Sequence, residues 1–323
     1  MDAFTISLET LTFTGSGLIR PECVLTTARG NIYTADWKGG VSCIRPDGSV
    51  ERILAGDADI DLKPNGIALC PDGSFLLANI GDDGGLYRLQ RNGELTAELT
   101  EVDGVQLPPS NFVMIDREHR IWLTISTRQK PRARGYRPDV ADGFIVLLDA
   151  GGARIVADDI GYTNEVQFDA KGEWLYVNET FGRRLSRYRV QPDGTLKDKN
   201  TVAEFGIGIY PDGLTFDAED YIWVTSIISN RVIRISPDGQ QQIILEDADP
   251  EHVMTAEKAF QTGGMDRPHL DTVKSDRLKN ISSLAFGGSD LRTVYLGCLL
   301  GDSLATFRSP VAGRPPVHWL FDD

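Results

Sequence analysis

Pro64-Asn65-Gly66 opens a short run, Ile67-Ala68-Leu69-Cys70, that breaks at Pro71-Asp72-Gly73 and resumes as Ser74-Phe75-Leu76-Leu77-Ala78-Asn79. Pro-Asp-Gly turns a chain for a physical reason: proline presets φ at its own position and glycine accepts the positive φ that follows. The order of polar entry, apolar strand, turn and second apolar strand recurs five more times. It opens at Pro21-Glu22-Cys23, Ser110-Asn111-Phe112, Thr163-Asn164-Glu165, Pro211-Asp212-Gly213 and Ile281-Ser282-Ser283. The middle residue always carries a side-chain oxygen, and successive middle residues lie 43, 46, 53, 48 and 70 positions apart. Periods of roughly 40–50 residues with four short strands in each are the signature of propeller blades.

Working outward, blade one reads as strands at 22–27, 31–36, 40–45 and 49–54, and blade two at 65–70, 74–79, 85–89 and 94–99. Blades four and five follow the same plan from Asn164 and Asp212, and blade six has strands at 281–286, 293–297 and 303–307. A blade buries its faces only against its neighbours. The 323 residues are therefore expected to form one all-β domain, 1–323, a six-bladed β-propeller. A ring made from one chain needs closing. Residues 4–13 have β character and no blade of their own, so an N-terminal strand is expected on the outside of blade six, with 317–320 as an additional or competing outer strand. Trp122, Trp174 and Trp223 share one place in three second strands and are expected to pack between blades.

The two long spacings mark insertions, 127–142 inside blade three and 246–278 between blades five and six; the second holds the one expected helix, 252–260. If inner strands run away from the polar triplets, second-to-third-strand loops and blade-to-blade links lie on the triplet face. Both insertions are then expected to overhang that face, where loops on a rigid scaffold build specificity.

A net charge of −14 argues against nucleic acid as a partner. The first nine residues lack a cationic and an apolar region, and no apolar run approaches the ~18 residues of a membrane span. The expectation is a cytoplasmic protein with a small-molecule substrate and no membrane partner; oligomeric state leaves no mark. Cys23, Cys43, Cys70 and Cys298 have no CxxC spacing and are expected to be buried free thiols.

Six inner strands converging on a channel bring distant residues together. Glu22, Asn111, Asn164 and Asp212 then offer carboxylate and amide oxygens with two formal negative charges, a set that suits a hard divalent ion. Calcium is the first choice, with zinc, manganese, magnesium or iron(II) as alternatives. Asn and Asp before a strand also serve as turn residues, a role that glutamate at position 22 fits poorly. Such an ion polarises a carbonyl or phosphoryl oxygen and activates water; Asp212 or Glu22 takes the proton, and position favours Asp212. Asn65 and Ser282 share the register and are left between substrate contact and spacer.

The set Glu22, Asn111, Asn164 and Asp212, together with Asp212-Gly213-Leu214 and Leu284-Ala285-Phe286-Gly287-Gly288, resembles the senescence marker protein/gluconolactonase/luciferin-regenerating enzyme family over residues 15–310. The resemblance implies a metal-dependent six-bladed propeller that hydrolyses sugar lactones. It also implies Glu22, Asn111, Asn164 and Asp212 as metal ligands, with Asp212 as base or nucleophile. Pro109 and Phe112 stand where gluconolactonase-like members carry Arg and Asp, which removes an expected grip on an aldonolactone. Glu165 replaces a common glycine, which puts a second acid one residue from the metal as a candidate substrate contact, although strand alternation points it away from the channel. The blade-three insertion holds Arg128, Lys130, Arg132, Arg134 and Arg137; Arg128 and Arg132 are candidates to hold a substrate carboxylate. His252 and His269 are lid candidates. The expected activity is a metal-dependent lactonase, with a phosphotriesterase or a non-catalytic binding propeller as alternatives.

Overall fold

A computed structural model describes residues 4–56 and 59–321, and it is a six-bladed β-propeller. Blade one is Val24–Thr26, Ile32–Asp36, Gly40–Ile44 and Val50–Leu54, each strand antiparallel to the next. The inner strands of blades two to six are Pro64–Leu69, Ser110–Ile115, Thr163–Phe168, Tyr210–Phe216 and Ile281–Gly287. A small hairpin, Glu101–Val102 with Val105–Gln106, sits between blades two and three.

Blade six takes three strands from the end of the chain and its outermost from the beginning: Thr12–Thr14 pairs antiparallel with Leu304–Arg308, Thr12 opposite Thr306 and Thr14 opposite Leu304. The closing strand is shorter than the 4–13 expected. The segment before it lies on the outside of blade five, where Ile6 N donates to Ile244 O at 2.7 Å and Phe4 lies 6.2 Å from the Trp223 ring. The outer-strand role expected for 317–320 is not taken. Pro315 and Pro316 remove two backbone donors, and Thr12–Thr14 already occupies the edge. The tail crosses the channel end opposite the triplets instead: Arg314 N donates to Phe216 O and Ala28 N to Trp319 O.

Apolar side chains alternate along the strands and meet between blades. Leu76, Ala78 and Leu86 of blade two pack on Val113, Leu123, Phe144 and Val146 of blade three; Trp223 and Val232 of blade five pack on Leu284, Phe286 and Val294 of blade six. At about 1.5–3 kcal/mol for each large side chain buried, every blade depends on its neighbour. Trp122 and Trp223 are fully buried, and their indole N–H groups donate to Asp116 and Asp217 at 2.8 and 2.9 Å. Trp174 departs from this pattern; it is half-buried beneath Arg187 and Arg189. All four cysteines are buried free thiols. Among the described residues no helix is long and apolar enough to cross a membrane.

Candidate metal centre

The polar triplets do more than begin the inner strands. In blades two to six the register of the inner pair shifts at the triplet, between Pro64 and Ile67, Ser110 and Phe112, Thr163 and Val166, Pro211 and Leu214, and Ile281 and Leu284. Such bulges interrupt alternation and re-aim side chains. The second strands supply small polar groups for the displaced backbone. Thr225 Oγ1 accepts from Gly213 N at 2.8 Å and donates to Ser282 O at 2.6 Å, Thr124 Oγ1 accepts from Phe112 N at 3.1 Å, and Asn178 Nδ2 donates to the carbonyls of Asp212 and Gly213, both at 3.0 Å. Gly213 is required by closeness: a Cβ there would lie 2.6 Å from Ser282 O and 2.6 Å from Ser283 Cα.

Asp212, Glu22 and Asn164 come together at this mouth. Burial, with the Glu22 and Glu165 carboxylates nearby, holds the Asp212 carboxyl well above the usual carboxylate range, against Arg20 and a hydrogen bond from Asn164. Glu22 is buried, and its Oε2 accepts from Arg20 Nε at 3.0 Å; Arg20 in turn lies 4.2 Å over the Trp37 ring. Asn164 Nδ2 donates to Thr180 Oγ1 at 3.0 Å, and that hydroxyl donates to Pro211 O at 2.8 Å, so the amide is fixed with its oxygen turned from Thr180. Asn65 Nδ2 donates to Asn111 O at 3.1 Å, and Ser282 Oγ donates to Glu22 O at 3.1 Å.

Asn111 Oδ1 and Asn65 Oδ1 are buried acceptors with no hydrogen-bond partner. Buried oxygens without donors, and, at other entries of the same ring of inner strands, carboxylates that repel one another, are groups that fit a hard cation. Among the described residues no group of three or more His, Cys, Asp or Glu side chains is placed to hold a metal. The four residues expected from the sequence, Glu22, Asn111, Asn164 and Asp212, include only two such side chains.

Glu165 does not point away from the channel as alternation suggested, because the bulge between Thr163 and Val166 turns it inward. Its Oε2 accepts from Leu214 N at 2.8 Å, and it lines the channel beneath the mouth. Burial pushes its carboxyl up to about 8 despite that bond and one from Ser283, and the Glu22 charge adds to the rise. The channel cavity is about 880 Å³ and reaches down to His318 and Leu320 of the tail.

The two inserted segments share one apolar cluster at the triplet end. Tyr136 stacks on Phe181, ring centroids 4.6 Å apart, and meets Tyr162 edge-on at 5.3 Å; Val253, Ala256 and Phe260 of the helix Pro250–Gln261 join Met265 and Leu270 in the same cluster. The helix is longer than expected at both ends, with Asp249 capping it and Pro250 at its first position. Of the arginine candidates, Arg128 is not brought to the mouth: Asp158 holds it at 2.7 and 2.8 Å and its guanidinium lies over Phe144. Arg132 is brought there, with Nε and Nη2 on the Tyr162 hydroxyl and Glu22 among the charges acting on it. His269 serves its own short helix, its Nδ1 accepting from Asp266 N, and His252 bonds the His269 carbonyl at 3.2 Å. Neither histidine has a hydrogen bond to the six triplet residues. Arg20, Thr180, Asn178, Tyr136, Tyr162 and Arg267 went unread in the sequence. The polar residues in otherwise apolar second strands were the one signal for Asn178 and Thr180.

Comparison with known proteins matches residues 63–267 to the SMP-30/gluconolactonase/LRE-like region. The chain is 29% identical over 216 residues to a 6-deoxy-6-sulfogluconolactonase of Pseudomonas putida, a match covering 66% of this chain and 62% of that protein. Among solved structures, a gluconolactonase of Xanthomonas campestris superposes with a TM-score of 0.67 at 19% identity, covering 91% of this chain and 88% of that one. A calcium-binding regucalcin from Agrobacterium tumefaciens gives 0.67 at 17%, covering 96% and 99%. These two structures establish likeness of fold.

Proposed function

The chain belongs to the SMP-30/gluconolactonase/LRE-like family, and from that premise we propose that it is a lactonase whose divalent ion, calcium first, is held by Glu22, Asn111, Asn164 and Asp212. The observation that carries the reading is the crowding of the Asp212 and Glu22 carboxylates at the mouth, together with the orphaned Asn111 amide oxygen at the entry of blade three in the same ring. The P. putida relative is named for a sugar-acid lactone, which makes such lactones the first class to assay.

A divalent ion bound there supplies Lewis-acid polarisation of the lactone carbonyl and a more acidic water. Asp212 accepts the proton of the attacking water. Water adds to the carbonyl carbon, the ring acyl–oxygen bond breaks, and the released alkoxide takes up a proton to give the open hydroxy acid. Asn164, fixed by Thr180, and Glu22, fixed by Arg20, hold their oxygens in place while this happens. The lid cluster around Tyr136 and Phe260 keeps bulk water from part of the mouth.

The test is hydrolysis of neutral and anionic lactones by chelator-stripped protein, with calcium, zinc, manganese, magnesium and iron(II) restored singly, for the native chain and Asp212→Asn. Activity should vanish on stripping, return with a metal, and fall at least about a thousandfold in the variant. Folded, metal-loaded protein inactive on every lactone overturns the reading, and organophosphates become the next substrates to try.

A further inference from the structure

Arg132 stands apart from the other cations of its loop. Arg128 pairs with Asp158 and Arg137 with Asp139. Arg132 is half-buried, and among the described residues no carboxylate lies within ion-pair distance of it. Its Nε and Nη2 donate to the Tyr162 hydroxyl at 2.9 and 2.7 Å. A guanidinium carries five N–H donors, so most of its hydrogen-bonding capacity faces elsewhere. Glu22 is among the charges it feels, so it stands at the same end of the channel as the triplets.

Arg267, from the other inserted segment, brings a second guanidinium to the same place. Asp271 holds one edge of it through Nε and Nη2. It lies beside Tyr136 and repels Arg132. The Tyr136 hydroxyl is buried, and the Arg132 and Arg267 charges, with the neighbouring Arg267 and Tyr162 side chains as hydrogen-bonding groups, outweigh that burial and lower it below the usual phenol value. Two guanidiniums gathered on one pair of tyrosine hydroxyls repel each other, and among the described residues only Arg267 has a carboxylate, Asp271, beside it; an anion received between them relieves that repulsion. In a chain of net charge −14 this is a local reversal of sign.

We propose that Arg132 and Arg267, with the hydroxyls of Tyr136 and Tyr162, receive an oxyanion that the substrate carries away from its lactone bond: a sulfonate, phosphate or carboxylate. The substrate class is then an anionic lactone, gripped at one end by the arginines and at the other by the metal centre. This subsite rests on the lactonase reading for its purpose, and its existence is measurable without it.

The metal-loaded full chain is assayed on two lactones that differ in one far substituent, a sulfonate or a hydroxyl. Ethanesulfonate, ethyl phosphate and propionate are titrated into the same protein by calorimetry. The kcat/KM ratio of anionic to neutral lactone should exceed one and fall at least about tenfold, mainly through KM, in Arg132→Gln and in Arg267→Gln. Affinity for the best of the three anions should fall in step, Arg132→Lys should recover part of both, and Arg128→Gln should leave the ratio as it is. Circular dichroism and Tm establish that each variant is folded. A ratio indifferent to both glutamine substitutions, or anion binding that is absent or equal in the native chain and the double variant, overturns the subsite and leaves the lactonase standing. Arginine-dependent anion binding without hydrolysis of either lactone does the reverse.

Discussion

Asn164 illustrates how one residue of the proposed centre is set by others. Its Nδ2 is tied to the Thr180 hydroxyl, which is itself tied to Pro211 O. Thr180→Val keeps the shape and removes both bonds. Leaving a buried amide donor and a buried carbonyl unpaired costs roughly 1–3 kcal/mol each, and it frees the amide to rotate. Urea unfolding should show a loss of about 2 kcal/mol or more, and calcium titration of the variant a weaker Kd; unchanged metal affinity would mean that Asn164 needs no orientation by Thr180. That Glu22, Asn164 and Asp212 meet at one end of the channel was legible in the sequence because each occupies one repeated position, so the repeat itself aligned them. Arg20 and Arg267 were not. Arg20 belongs to the turn before blade one, with φ of 52°, and Arg267 reaches Tyr136 only because two inserted segments fold onto one aromatic cluster.

At the scale of the strand, Pro71-Asp72-Gly73 and its counterparts delimited the strands because turn chemistry is local. The bulges were not legible. Alternation assumes an unbroken ladder, and it therefore sent Glu165 to the wrong side. A bulge is stabilised by groups on the neighbouring strand and blade, Thr225 and Asn178 for blade five, and these lie outside any local window. The tail failed for a related reason: Val317 and Leu320 look strand-like, but Pro315 and Pro316 before them cannot continue a ladder. Close approach at the bulge gives a further prediction. Gly213→Ala places a methyl 2.6 Å from Ser282 O and Ser283 Cα, both backbone atoms. The inner strands of blades five and six must part, at about 1–3 kcal/mol or more. Tm should drop and metal affinity with it, whereas Gly48→Ala, with nothing within 4 Å of its added carbon, should show only the smaller strain of its positive φ.

For the molecule as a whole, two buried groups make acid destabilising over separate ranges. Burial pushes the His318 imidazole down to about 4 against a hydrogen bond to the Thr26 carbonyl. The unfolded chain takes up this proton first, so the contribution of His318 is complete above the ordinary histidine value near 6.5 and is lost as pH falls towards 4. Glu179 is buried as well, yet the hydrogen bonds of Arg184 and Ser186 and the Lys199 charge overcome burial and bring its carboxyl to about 2. Its contribution is complete above the ordinary glutamate value near 4.5 and is lost as pH falls towards 2. Glu165 works the other way, gaining stability as pH falls from about 8 towards the ordinary glutamate value, so the test is the difference between variant and native profiles. His318→Gln should remove a loss between pH 6.5 and 4, and Glu179→Gln a loss between 4.5 and 2. A His318→Gln difference that is flat over the first range would show that the tail titrates as an exposed segment. The ring carries one more consequence, in the order of assembly. Thr12–Thr14 waits, through the making of five complete blades, for Leu304–Arg308 to emerge. Whatever folds beforehand does so as an open arc with an unpaired edge, and the longest loop in the molecule closes last, which puts the slowest step of folding, and the exposure most in need of a chaperone, at blade six.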